Sequence, residues 1–134
     1  MDITVDFPGG TRVDAHFNSF TVCTDQPKED GGEETAPAPF ELFLASLATC
    51  AAYYVMGFCR NREIPAEGIR LIQRTEQNET THMVERIVIE IQLPEDFPEK
   101  YKPAVIRSAE KCLVKKHLEK PPAFDINIAV AASS

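Results

Sequence analysis

The stretch that decides the fold is Pro39-Phe-Glu-Leu-Phe-Leu-Ala-Ser-Leu-Ala-Thr-Cys50-Ala-Ala-Tyr-Tyr-Val-Met-Gly-Phe-Cys59-Arg60-Asn-Arg62. From Leu42 to Cys59 it runs 18 residues without a charge, which touches the lower limit of a membrane span, roughly 17–25 residues. Its interior is rich in small residues (Ala45, Ser46, Ala48, Thr49, Ala51, Ala52, Gly57), and Glu41 and Arg60 bracket it closely. Phe43, Leu47, Cys50, Tyr54 and Phe58 recur at three- and four-residue spacing and make one apolar stripe. The pattern predicts a helix over about 39–62, buried on nearly all sides of a soluble core. Pro39 suits an early helical position, Arg60 and Arg62 complement the last carbonyls, and Pro65 stops the helix.

Upstream, Ile3, Val5 and Phe7 alternate with polar neighbours, and Pro8-Gly9-Gly10 is a turn. Arg12 to Phe17 reads as a second strand and Phe20 to Thr24 as a short third, a meander of hairpins. Gln26 to Pro39, with its prolines, glycines and acidic residues, reads as a solvated surface loop; a lid over a site is the sharper alternative. Downstream, Gly68 to Glu76 and Thr81 to Leu93 read as strands around a turn at Gln77-Asn78-Glu79. A second helix is expected from about Pro98 to Glu119, with Tyr101, Val105, Ala109, Cys112 and Leu113 on its apolar stripe. Phe124, Ile126, Ile128 and Val130 alternate as a last strand. The order β-β-(β)-α-β-β-α-β is α+β: an antiparallel sheet with two main helices. No internal linker or repeat stands out, so residues 1–134 are expected to form a single domain.

The 134 residues carry a net charge of −7, with 43% hydrophobic and 26% charged residues. That is an ordinary globular composition, and disulfide stapling is not required at this size. The acidic balance repels phosphate backbones and anionic lipid, so neither nucleic acid nor a membrane is an expected partner. Met1-Asp2 opens an alternating segment rather than a basic and apolar leader, which points to the cytoplasm.

The four cysteines are Cys23, Cys50, Cys59 and Cys112. No CxxC occurs and no Cys/His cluster has zinc spacing, so no metal is expected. In a reducing compartment each thiol is by default a small buried hydrophobe. Cys59 lies nine residues after Cys50, about 900° around an ideal helix, and points the opposite way. Cys112 falls on the apolar face of the second helix; if the two helices pack together, Cys50 and Cys112 can meet. Two inward-facing thiols are what a thiol peroxidase needs, one forming a sulfenic acid and the other condensing with it. Plain core packing is the alternative that the residues alone leave open.

The stretch from Pro39 to Arg62 resembles the central helix of the OsmC/Ohr family, in which a Pro-x-Glu-Leu start leads through small residues to a cysteine. Ser108-Ala109-Glu110-Lys111-Cys112-Leu113-Val114 resembles that family's second cysteine helix, and the 62-residue separation of Cys50 and Cys112 suits it. The Pro-Phe-Glu-Leu form looks closer to the YhfA-like branch than to the peroxidase branches proper. The resemblance implies an α+β fold in an intertwined homodimer with active sites at the subunit interface. It implies reduction of hydroperoxides in oxidative stress defence, with dithiol (lipoyl-type) reductants and no cofactor. Cys50 would be the peroxidatic thiol and Cys112 the resolving one.

In that family an Arg from the N-terminal strands and a Glu at the helix start polarise thiol and peroxide. Arg12 is the counterpart of the Arg. The position of the Glu holds Phe40, and Glu41 falls one later, turned about 100° away. Phe40 favours an alternative function: a non-catalytic member binding a small apolar or thiol ligand in the same interface cavity. Cys23 and Cys59 read as structural, and His16 and His82 as strand residues without a role. His117 lies five residues past Cys112, about 500° around the helix, and is not expected to activate it. Lys111, Lys115, Lys116 and Lys120 complement a helix end.

Overall fold

The computed structural model describes residues 1–131. β1 (Thr4–Gly9), β2 (Arg12–Phe17) and β3 (Phe20–Thr24) form a meander in the order β1-β2-β3. β1 and β2 pair antiparallel from Thr4↔His16 to Gly9↔Arg12, with a bulge between Asp6 and Gly9. β4 (Arg70–Gln77) and β5 (Val84–Gln92) form a separate hairpin. The strands therefore divide between two small antiparallel sheets rather than one.

α1 spans Pro39–Asn61, as the spacing predicts. Its start is built from the sequence around Glu41. Leu42 N–H donates to Ala38 C=O at 3.1 Å, and the Glu41 carboxylate accepts from Ala38 N–H at 2.9 Å. This is the reciprocal half of a capping box. The buried stripe is Leu47, Ala51, Val55, Phe58 and Cys59, while Tyr53 on the other side stays exposed. Burial on nearly all sides is thus not met within one chain, because one short chain offers too little surface to cover more than one stripe.

The chain divides into two compact units. The first holds residues 1–49 and 71–90, and the second residues 50–70 with 91 onward. In the first unit the segment after β3 is clamped rather than lid-like. The buried Asp25 carboxylate accepts from Thr11 Oγ1, from Thr35 Oγ1 at 2.6 Å, and from the N–H groups of Gln26 and Thr35 at 2.8 and 3.0 Å. Gly32 N–H donates to Pro27 C=O, and a Cβ on Gly32 would lie 2.0 Å from the Gln26 carbonyl oxygen, so only glycine fits.

Those donors, the Thr11 hydroxyl first and then Thr35 and Gln26, hold the Asp25 carboxyl well below the usual carboxylate range against the opposing effect of burial. A group depressed on folding stabilises above its unfolded value, here 3.8, and loses that contribution as pH falls below it. Wild type and Asp25→Asn should therefore differ most in unfolding free energy at neutral pH. The gap should narrow below about pH 4; denaturant titrations at both pH values check it, and a gap independent of pH would contradict it.

The core of the second unit is Val55, Phe58, Cys59, Phe97 and Val105, with Ile64, Ile69, Leu93 and Tyr101 packed around it. Each buried apolar side chain of this size contributes about 1.5–3 kcal/mol. Arg62 lies over the Phe58 ring at 3.8 Å and covers its outer face.

Two further expectations fail. The predicted helix over 98–119 is a 3-10 turn at Glu99–Tyr101, then α2 (Lys102–Ala109) and α3 (Leu113–Glu119). Cys112 leaves the helical region (φ −47, ψ 122) and becomes the N-cap of α3. Neither Gly nor Pro marks this break, and cysteine, the thiol analogue of serine, takes the cap position that serine favours. Phe124, Ile126, Ile128 and Val130 form no strand; they are 82%, 96%, 97% and 97% exposed. Alternation prescribes a strand only where an edge is free to pair with it, and among the described residues no strand of this chain does so.

Candidate functional site

Cys50 lies mid-way along α1, half-buried, and Cys112 lies at the break before α3, 2% exposed. Both belong to the second unit, and the structure brings them together as neighbouring thiols, each acting on the other's ionisation. Cys112 does not sit on a helix face, as the sequence suggested, but reaches Cys50 from the N-cap. Its Sγ also accepts from Lys115 N–H at 3.4 Å.

The two thiols are pushed apart. Burial works to raise the Cys50 thiol, but the Val114 N–H, the Cys112 thiol and the Leu113 N–H all donate to its sulfur, and the net effect is a lowering. Burial raises the Cys112 thiol, the Lys115 N–H offsets part of this, and the neighbouring Cys50 raises it further. Cys50 is therefore the sulfur that ionises first and Cys112 the one that keeps its proton. The donors Leu113 N–H and Val114 N–H are backbone groups at a helix start that no sequence signal announced, apart from the serine-like cap that Cys112 offers.

Arg12 and Glu41 belong to the first unit. Arg12 follows the turn after β1 and is exposed in an open cleft of about 470 Å³ lined also by Thr11, Asp25, Glu33 and Thr35. Glu41 Oε1 is engaged by Ala38 N–H. Phe40 stacks on Phe43, ring centroids 5.5 Å apart. Cys59 is fully buried and burial pushes its thiol up, with Arg62 opposing. Cys23 departs from the default of a buried thiol and lies exposed on β3. His117 Nδ1 bonds to Leu113 C=O at 2.8 Å, one turn back on its own helix. Among the described residues no group of three or more His, Cys, Asp or Glu has metal-binding geometry.

The model of the OsmC-like protein family matches residues 31–127, from the clamped loop through both cysteines. The chain belongs to the OsmC-like family. No curated protein matches it. An osmotic stress induced and detoxification response protein from Psychrobacter arcticus is 25% identical, with 85% of each chain covered and a TM-score of 0.72. An OsmC-like protein from Mycoplasma pneumoniae shares the fold at 15% identity, over 90% of this chain and 87% of that one, with a TM-score of 0.70. An organic hydroperoxide resistance protein OsmC from Legionella pneumophila shares it at 18% identity, over 88% and 89%, with a TM-score of 0.57. The α+β architecture of this chain is thus the OsmC-like fold, with Cys50 and Cys112 adjoining in its second unit.

Proposed function

We propose that this OsmC-like protein reduces organic hydroperoxides through Cys50 and Cys112, in cytoplasmic defence against oxidative stress. The observation that carries the reading is the opposed tuning of two adjoining thiols, Cys50 lowered and Cys112 raised. A Cys50 thiolate attacks the distal peroxide oxygen, the O–O bond breaks, and the alcohol leaves with a proton. The resulting Cys50 sulfenic acid condenses with the Cys112 thiol, releasing water and forming a disulfide. An external dithiol returns both cysteines to thiols and leaves as its own disulfide. No cofactor or metal is needed for this sequence of steps.

The working unit in this reading is a homodimer, and each chain is one OsmC-like domain. The support is the apolar surface the single chain leaves uncovered: the alternating segment from Phe124 to Val130, Val5 and Phe7 on β1, and Ile3 just before it. A second copy supplies both the edge that the C-terminal segment lacks and the cover that β1 lacks. In such a dimer Arg12 of one chain stabilises the Cys50 thiolate of the other through charge-assisted hydrogen bonds. Glu41, with one oxygen on Ala38 N–H, holds that guanidinium with its other oxygen.

The test is stopped-flow oxidation by an organic hydroperoxide, wild type beside Arg12→Ala. Losing the cation should raise the Cys50 thiol by a unit or more, and so slow oxidation at neutral pH by about tenfold. A second reading, a non-catalytic binder of a small apolar or thiol ligand, is favoured by Phe40 stacked on Phe43 at the helix start. It requires equal, slow oxidation of both proteins, at the rate of an ordinary free thiol.

A further inference from the structure

The acceptor sites of the Asp25 carboxylate are full. A carboxylate offers about four lone-pair sites. One oxygen takes the Thr11 hydroxyl and Gln26 N–H at 2.8 Å; the other takes Thr35 N–H at 3.0 Å and the Thr35 hydroxyl at 2.6 Å. Asp25 N–H donates in turn to Pro37 C=O at 3.2 Å. One buried residue thereby ties the turn between β1 and β2 to the segment that leads into α1, all within the first unit.

Arg12 follows Thr11 directly and lines the same open cleft as Asp25. A buried carboxylate is ordinarily paired with the nearest cation. Here Arg12 forms no ion pair among the described residues. Its Nη2 lies instead over Gly9, 3.3 Å from where a Cβ would stand, and Gly9 has a φ of 150°. A side chain at Gly9 would press on the guanidinium and strain the turn.

We propose that Asp25 is a positioning residue for Arg12: its bond to Thr11 fixes the turn that carries the guanidinium, and its filled acceptor sites leave that guanidinium free for a thiolate. The inference rests on the action of Arg12 on a second copy's Cys50 given under Proposed function. A fully satisfied buried network rigidifies what it joins. The reach of a guanidinium toward another chain is set by the turn beneath it, and a misplacement of about 1 Å is costly to rate. Opening one acceptor site on Asp25 has two effects of the same sign. The turn loosens, and the vacated oxygen competes for Arg12.

Stopped-flow oxidation of the full-length protein by an organic hydroperoxide, followed across pH, tests this with Thr11→Val and Thr35→Val. Each deletes one hydroxyl donor to Asp25 and keeps the side-chain shape, and both threonines are themselves exposed. Both variants should oxidise about threefold to fivefold more slowly at neutral pH, with the midpoint of the pH profile moved upward toward that of Arg12→Ala. Thr11→Ser, which keeps the hydroxyl, should match wild type. Thr24→Val deletes a hydroxyl bond to Val13 C=O at 2.6 Å in the same sheet; it should lower stability without moving the profile. In the Arg12→Ala background neither Thr11→Val nor Thr35→Val should slow oxidation further, since the group they position is gone. Wild-type rates in both variants beside a slow Arg12→Ala overturn the proposal and leave the peroxidase reading standing. Equal slowing with and without Arg12, or a shifted profile in Thr24→Val, reduces Asp25 to a structural role and overturns it too. If Arg12→Ala oxidises as fast as wild type, the role of Arg12 fails and this inference fails with it.

Discussion

Cys50→Ser should reduce hydroperoxide consumption to the uncatalysed background while leaving the fold intact. A serine hydroxyl is not ionised near neutral pH and cannot replace a thiolate as the attacking group. The three donors around Cys50, the Val114 N–H, the Cys112 side chain and the Leu113 N–H, find a serine oxygen where they found sulfur. Stability should therefore move by no more than about 1 kcal/mol, within the range of mild substitutions. Turnover is read with excess dithiol as reductant and unfolding in denaturant. Retained turnover would remove Cys50 from the chemistry, and an unfolded variant would show that the sulfur is structural.

Cys112→Ser should separate the two half-reactions. Cys50 keeps the Leu113 and Val114 backbone groups that lower it, and the serine hydroxyl still accepts from Lys115 N–H, so the first oxidation proceeds. Without a second thiol the sulfenic acid cannot condense, and turnover through the disulfide stops. A sulfenic acid on Cys50 should be trappable by dimedone in this variant and scarcely so in wild type. Steady turnover by Cys112→Ser at the wild-type rate with a lipoyl-type dithiol would mean that the reductant attacks the sulfenic acid directly and that Cys112 has no resolving role.

How much of this was legible in the sequence follows from which forces are local. α1 is written in three- and four-residue spacing across the whole run from Phe43 to Phe58, and its N-terminal boundary is fixed by Pro39 and Glu41 next to the chain they cap. The β1–β3 meander is marked by alternation and by Gly9-Gly10. The break at Cys112 was not legible, because the residues from Glu110 to Cys112 contain neither a glycine nor a proline, and the sulfur that caps α3 is recognisable only once Lys115 is seen above it. The segment from Phe124 to Val130 has a strand's pattern without a strand's partner in its own chain, since pairing is decided by edges and not by alternation.

The pairing of Cys50 with Cys112 was suggested by two apolar stripes, but its route was different. The thiols meet at the N-cap of α3, and backbone N–H groups of its first turn set which sulfur ionises. Arg12 and Glu41 stand at a turn and at a helix start, where exposed charge is common and sequence spacing says nothing about reach.

The central claim is that Cys50 and Cys112 form one redox pair opened by a hydroperoxide. Peptide-mapped mass spectrometry of the reduced protein, before and after one equivalent of an organic hydroperoxide, tests it most directly. The account predicts loss of two hydrogens, a Cys50–Cys112 disulfide as the main product, and free thiols at Cys23 and Cys59. A protein that stays fully reduced, or whose main disulfide contains Cys23 or Cys59, would contradict it.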